Sequence, residues 1–125
     1  MNAPQQPQVF SISNEQAFAE TALQAFRFQA VNNHVYRQFM EGLHVDTASV
    51  NSIEQIPFLP ISFFKSHQVL SSAEPVELTF TSSGTTGMIT SSHPVTDVGW
   101  YLESFRRAFQ LFYGDITGYC VLGLL

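Results

Sequence analysis

The stretch that most constrains this chain is "VELTFTSSGTTG", Val76 to Gly87. Val76 to Phe80 have the length and the β-branched and aromatic character of a buried strand. Thr81, Ser82, Ser83, Gly84, Thr85, Thr86 and Gly87 then follow without an apolar side chain among them. Residues of this kind end a strand and make a loop, which is expected to run from Thr81 to Ser92. After it, Val98, Leu102, Phe105, Phe109 and Phe112 recur four and three apart and predict one helix over roughly Thr96 to Tyr113. Asp97 sits where a helix begins and Gly114 where one ends. "GYCVLGLL", Gly118 to Leu125, reads as a further apolar strand. Strand, Gly-rich loop, helix and strand in that order predict an α/β fold, with a parallel pair joined by a right-handed crossover.

The first half has a different pattern. The opening dozen residues, rich in Pro and Gln, predict a loose arm. "SNEQ" at Ser13 to Gln16 is a capping box, so a helix is expected to start at Ser13. Phe18, Ala22, Ala25 and Phe26 continue it at helical spacing. Asn32 and Asn33 are poor in a helix interior and good at its ends, which places a break there. A second helix then carries Val35, Tyr36, Phe39, Met40 and Leu43, a stripe read as core. Pro57 and Pro60 forbid regular structure across "IPFLPISFF", leaving an extended apolar segment that ends in a helical turn at Phe63 and Phe64. The expected organisation is an arm at 1–12, a helical and extended segment at 13–75, and a β-loop-α-β unit at 76–125.

Composition narrows the function classes. Hydrophobic residues make up 45% of the chain, with 12 Phe, which excludes disorder. Charged residues are only 12%, so some of the surface is expected to be covered by other protein. A net charge of −5, with Arg106–Arg107 as the only basic pair, argues against a nucleic-acid surface. The N-terminus lacks the features of a signal peptide, and no run is long enough to span a membrane. With one cysteine, Cys120, there is no internal disulfide, and a cytoplasmic location is the expectation. Cys120 itself reads as a small buried hydrophobe. His34, His44, His67 and His93 lack ligand-like spacing, so no structural metal is expected.

Two readings of the loop stand side by side on its residues alone. Gly84 and Gly87 permit positive φ, so successive amides can turn toward one anion, and the hydroxyls of Thr81, Ser82, Ser83, Thr85 and Thr86 can donate to phosphate oxygens. The other reading is a solvated turn built from turn-forming residues. A Walker loop is excluded because no GK[ST] follows, and Ser83 does not sit in a GxSxG elbow.

TSSGTTG resembles the phosphate-binding signature of adenylate-forming (acyl-activating) enzymes. Together with "AFRFQAVNNHVYRQF" (Ala25 to Phe39) and "IPFLPISFFKSHQV" (Ile56 to Val69), it looks most like the acyl-protein synthetase (long-chain-fatty-acid luciferin-component ligase) branch. The likeness runs from about Phe18 to the end of the chain. It implies an N-terminal portion of a larger acyl-adenylate-forming domain. A carboxylate, with fatty acids among the candidates, would attack the α-phosphate of ATP, and the acyl group would pass to a thiol on a protein or on coenzyme A. Thr81 to Gly87 would hold the β- and γ-phosphates with Mg2+. Phenylacetate-type aryl- or acyl-CoA ligases are the alternative within enzymes, and an interaction module that keeps the loop without chemistry is the alternative outside them.

The chain departs from the wider pattern after Gly87, where "MITSSHP" has no lysine. Phosphate charge would then be met by amides, hydroxyls, Mg2+ or residues outside this chain. His93 could contribute to this, but is expected to shape the entry to the following helix with Pro94, and Lys65 to be a structural or surface residue. The family's adenine, ribose and carboxylate contacts and its catalytic lysine come later than this stretch. No catalytic residue is therefore assigned, and these 125 residues alone are expected to be inactive. They are also expected to self-associate through uncovered apolar surface.

Overall fold

A computed structural model of the chain describes residues 2–83 and 90–120. Gly84, Thr85, Thr86 and Gly87, and the last five residues of the expected C-terminal strand, lie outside them. The stretch read as a loose arm contains a short helix, α1 (Gln6–Phe10), opened by a proline in its first turn. Helix α2 spans Glu15–Asn32 and α3 spans His34–Gly42. The cap of α2 is Asn14, whose side chain accepts from Ala17 N–H at 2.9 Å, so the start lies one residue beyond the expected Ser13 frame. Gln16 turns along the helix instead of back to the cap, donating to Glu20 at 2.9 Å. The break falls where the paired asparagines placed it: Asn33 closes α2 through its N–H to Gln29 O and opens α3 by accepting from Tyr36 N–H.

The core lies between these two helices. Phe26, Ala30, Tyr36, Met40 and Val50 are buried, with Leu23, Phe39, Val45, Ile56 and Leu59 packed around them. The Phe26 and Tyr36 rings meet edge to face at 6.2 Å. The proline-broken segment runs across this core without regular structure and ends in α4 (Phe63–Ser66), the expected helical turn. Phe63 carries the aromatic contacts onward, at 5.7 Å from Phe39.

The second half corrects the expected topology. Strands β1 (Leu78–Thr81) and β2 (Ser92–Val95) form an antiparallel hairpin, with Leu78 opposite Val95 and Thr81 opposite Ser92. The loop therefore joins two strands, where a loop running into a helix was expected, and the described partner of β1 is antiparallel to it. Pro94 argues against a strand in the sequence, yet the ladder accommodates it. Ser82 N–H bonds Ser91 O at 3.1 Å. Alternation from that hydrogen-bonded pair puts Pro94 opposite Thr79 in a non-hydrogen-bonded pair, where a missing N–H removes no ladder bond.

Helix α5 (Val98–Tyr113) begins after an Asp97 cap and ends at Gly114, whose φ of +83° needs glycine. The expected packing of its stripe on the sheet is not found. Leu102, Phe105 and Phe112 are exposed, and β1 is exposed along its length. A helix of 16 residues is about 24 Å long, and a hairpin of four-residue strands is too narrow to cover it. The first turn of α5 reaches the sheet, with Tyr101 at 4.8 Å from Phe80. Trp100, off the stripe, makes a second packing face against Phe10 of α1 at 6.2 Å. Cys120, expected to be buried, is exposed, and the chain before it forms a single 3-10 turn at Ile116–Gly118.

Candidate functional site

The hairpin brings the two ends of the hydroxyl-rich loop side by side. Residues Leu78, Phe80, His93 and Val95 share one face by alternation, and Thr79, Thr81, Ser92 and Pro94 share the other. The first face carries the ring contacts: Phe80 meets Tyr101, and the His93 ring stacks on Phe64 at 4.7 Å. This is where His93 sits, in a strand, and not at a helix entry as expected. Above the last strand pair, Ser82 N–H donates to Ser91 O at 3.1 Å, and Ser91 N–H donates to Ser82 Oγ at 3.0 Å. Ser91 is 8% exposed, and its Oγ lies 3.0 Å from His93 Nε2. Thr81, Ser82 and Ser83 are exposed at the mouth of the loop.

This arrangement has a chemical consequence. The Ser82 oxygen accepts one hydrogen bond, and among the described residues its own hydrogen has no acceptor. The N-terminus of α5 offers no comparable opening. Asp97 accepts from Trp100 N–H at 2.8 Å, and Glu77 accepts from Val98 N–H at 2.8 Å. Two carboxylates thus occupy the end of the helix that would otherwise attract an anion. That helix end lies by Glu77 and Val95, at the opposite end of the hairpin from the loop, so the helix dipole does not serve the loop.

Sequence reasoning singled out Thr81, Ser82 and Ser83 and missed Ser91. Its signal was available in the alternation Ser91, His93, Val95, which puts a hydroxyl, an imidazole and an apolar side chain on one face. Lys65 is exposed in the last turn of α4. Among the described residues, no three His, Cys, Asp or Glu side chains gather as metal ligands, and no helix is long and apolar enough to cross a membrane.

A second concavity, of about 350 Å³, lies beside the core and is lined by Phe18, Phe26, Tyr36, Ile56, Phe58 and Phe64 among others. Burial pushes the Tyr36 hydroxyl up to about 12, and that hydroxyl donates to Pro57 O at 2.6 Å. Phe64 belongs both to this wall and to the stack beneath the loop.

Residues 5–96 match the family described as acyl-protein synthetase, LuxE. The chain belongs to this family. The matched region holds the core, the hairpin and the whole hydroxyl loop, and it ends just before α5. The chain is also similar to the long-chain-fatty-acid–luciferin-component ligase of Vibrio harveyi, at 36% identity over 84 residues. That alignment covers 66% of this chain and 22% of the relative, so the chain spans well under half of the relative's length. No solved structure matches the chain.

Proposed function

We propose that this chain is the N-terminal portion of an ATP-dependent acyl-activating ligase, built on the adenylate-forming plan. The complete protein joins a carboxylic acid to AMP with release of pyrophosphate, then hands the acyl group to a thiol. The observation that carries this reading is the membership of residues 5–96 in the acyl-protein synthetase family, with TSSGTTG inside the match. That description favours a protein thiol over coenzyme A as acceptor, and the Vibrio relative's name favours a fatty acid as the acid.

In this reading Thr81 to Gly87 hold the β- and γ-phosphates. The exposed hydroxyls of Thr81, Ser82 and Ser83 are suited to donating to phosphate oxygens, and Ser82 accepts from Ser91 N–H with one of its two lone pairs. Mg2+ enters with the nucleotide and supplies charge neutralisation that the chain, lacking a lysine after Gly87, does not. Holding the pyrophosphate lowers the barrier by position and electrostatics, without a side-chain base.

The test is carboxylate-dependent exchange of labelled pyrophosphate into ATP by the complete protein, over a series of acids from short to long chain. Exchange that rises with one class of acid supports the reading. Tight binding of a protein partner with no exchange for any acid would replace it with an interaction module.

A further inference from the structure

Between α4 and the hydroxyl loop runs an unbroken line of contacts. Phe64 stacks on His93 with ring centroids 4.7 Å apart and planes 26° from parallel. At the far edge of that imidazole, Nε2 lies 3.0 Å from Ser91 Oγ. Ser91 is buried, and its N–H ends on Ser82 Oγ at 3.0 Å while its carbonyl receives Ser82 N–H at 3.1 Å. The two inner members, His93 and Ser91, each have a neighbour on either side, and Ser82, at the outer end, is exposed.

A serine hydroxyl on a loop ordinarily samples three staggered χ1 wells. Here the Ser91 amide selects the well in which Ser82 Oγ accepts from it, and among the described residues the hydroxyl hydrogen has no acceptor. Ser91 can hold its amide there because its own side chain is fixed by His93. His93 is fixed in turn by the ring face of Phe64. We propose that Phe64, His93 and Ser91 are positioning residues that aim the Ser82 hydroxyl, as a donor, at a nucleotide phosphate. The inference rests on the ATP-binding reading above and adds which side chains outside the loop set its affinity.

The role differs from simple support of the hairpin, because the β1–β2 ladder is made by backbone groups that side-chain changes at 91 and 93 leave in place. Losing the aim should weaken nucleotide binding specifically. Misaiming one such donor, with the hydroxyl itself kept, corresponds to a rise in KM for ATP of about five- to tenfold.

The experiment measures pyrophosphate exchange in the complete protein for His93→Phe, which keeps a ring for Phe64 and removes Nε2, and for Ser91→Ala and Ser91→Thr. KM for ATP is expected to rise by that factor in His93→Phe and Ser91→Ala, with kcat within about twofold and KM for the acid unchanged. Ser91→Thr restores the hydroxyl and should restore KM. Where His93→Phe fails to fold, Ser91→Ala, with every backbone bond intact, decides the matter. Variants with wild-type KM for ATP, an equal fall in kcat for all substrates, or no rescue by threonine would overturn the positioning role alone. A wild-type protein with no exchange for any acid would remove the ATP reading, and the positioning role with it.

Discussion

The side-chain oxygen of Asn33 accepts a hydrogen bond from Tyr36 N–H at 3.0 Å, inside the angle between two helices. Asn33 is 4% exposed, and its amide nitrogen also donates to Ser71 Oγ at 3.2 Å, which ties the connection before the hairpin back to the helices. Asn33→Ala removes both bonds and a helix cap. It is expected to lower stability by about 1–2 kcal/mol in urea unfolding, while Asn33→Asp, which keeps the capping oxygen, loses less. Equal losses for the two variants would show that the cap contributes little.

Tyr36 makes the next link, through its hydroxyl to Pro57 O at 2.6 Å. Tyr36→Phe leaves that carbonyl without its donor and is expected to cost about 1–2 kcal/mol. The hydroxyl also makes stability depend on alkaline pH. Its value rises from 10.0 to about 12 because burial disfavours the phenolate. The folded protein therefore holds the proton more tightly than the unfolded chain. This contribution is complete below pH 10 and is lost as pH climbs toward 12. Unfolding free energy measured across that window should fall in the wild type, and fall less steeply in Tyr36→Phe.

Phe26, at 2% exposure, fills the space between α2 and α3 against Tyr36 and borders the concavity beside the core. Phe26→Ala removes most of a ring from a small core and is expected to cost about 3–5 kcal/mol. That is a large part of the stability of a typical domain, so loss of a cooperative thermal transition is the anticipated result. A transition within a few degrees of wild type would show that the core holds elsewhere.

Exposed apolar side chains collect on α5. Leu111 and Phe112 are 79% and 76% exposed, next to Tyr113 at 63%. Such a patch on a chain free in solution favours self-association. Residues 1–125 are expected to sediment with a concentration-dependent mass, and Leu111→Lys with Phe112→Glu to shift that mass toward the monomer. An unchanged concentration dependence would point to another surface, with Phe58 and Ile61 the next candidates at 76% and 78% exposure.

Helices α2, α3 and α5 were legible because their signals are local. Paired asparagines end one helix and begin another, and a capping aspartate and a terminal glycine bound α5. The cap of α2 slipped by one residue because Ser13 and Asn14 are both good caps and adjacent. The hairpin was not legible. Ser92 to Val95 contains a proline, and only the alternation of hydrogen-bonded pairs, set by Ser82 and Ser91, shows that proline to be harmless. The exposure of β1 and of the α5 stripe is beyond periodicity altogether, since a pattern marks which side of an element is apolar and not whether anything covers it. At the candidate site the hydroxyls of Thr81, Ser82 and Ser83 could be named from the sequence. Ser91 and His93 are held by contacts across the hairpin and with α4, and no spacing rule announces those contacts.

The loop offers the most direct test of the proposed chemistry. Gly84 lies outside the described residues, so its case rests on chain chemistry. Glycine reaches positive φ freely, and a β-branched residue does so only under strain. Gly84→Val should therefore prevent successive amides from turning toward one phosphate. Thr85→Ala with Thr86→Ala should remove two hydroxyl donors while leaving the backbone free. A donor to a charged leaving group is worth on the order of 3 kcal/mol in the transition state, so each change should lower pyrophosphate exchange about a hundredfold or more. Ser82→Ala is the informative partner, since Ser82 is tied to Ser91 in the hairpin. A phosphate donor lost there should raise KM for ATP, whereas a mere hairpin contact would lower the melting temperature and leave KM alone. Wild-type exchange in Gly84→Val and in the double threonine variant together would return this stretch to its other reading, a solvated turn between two strands.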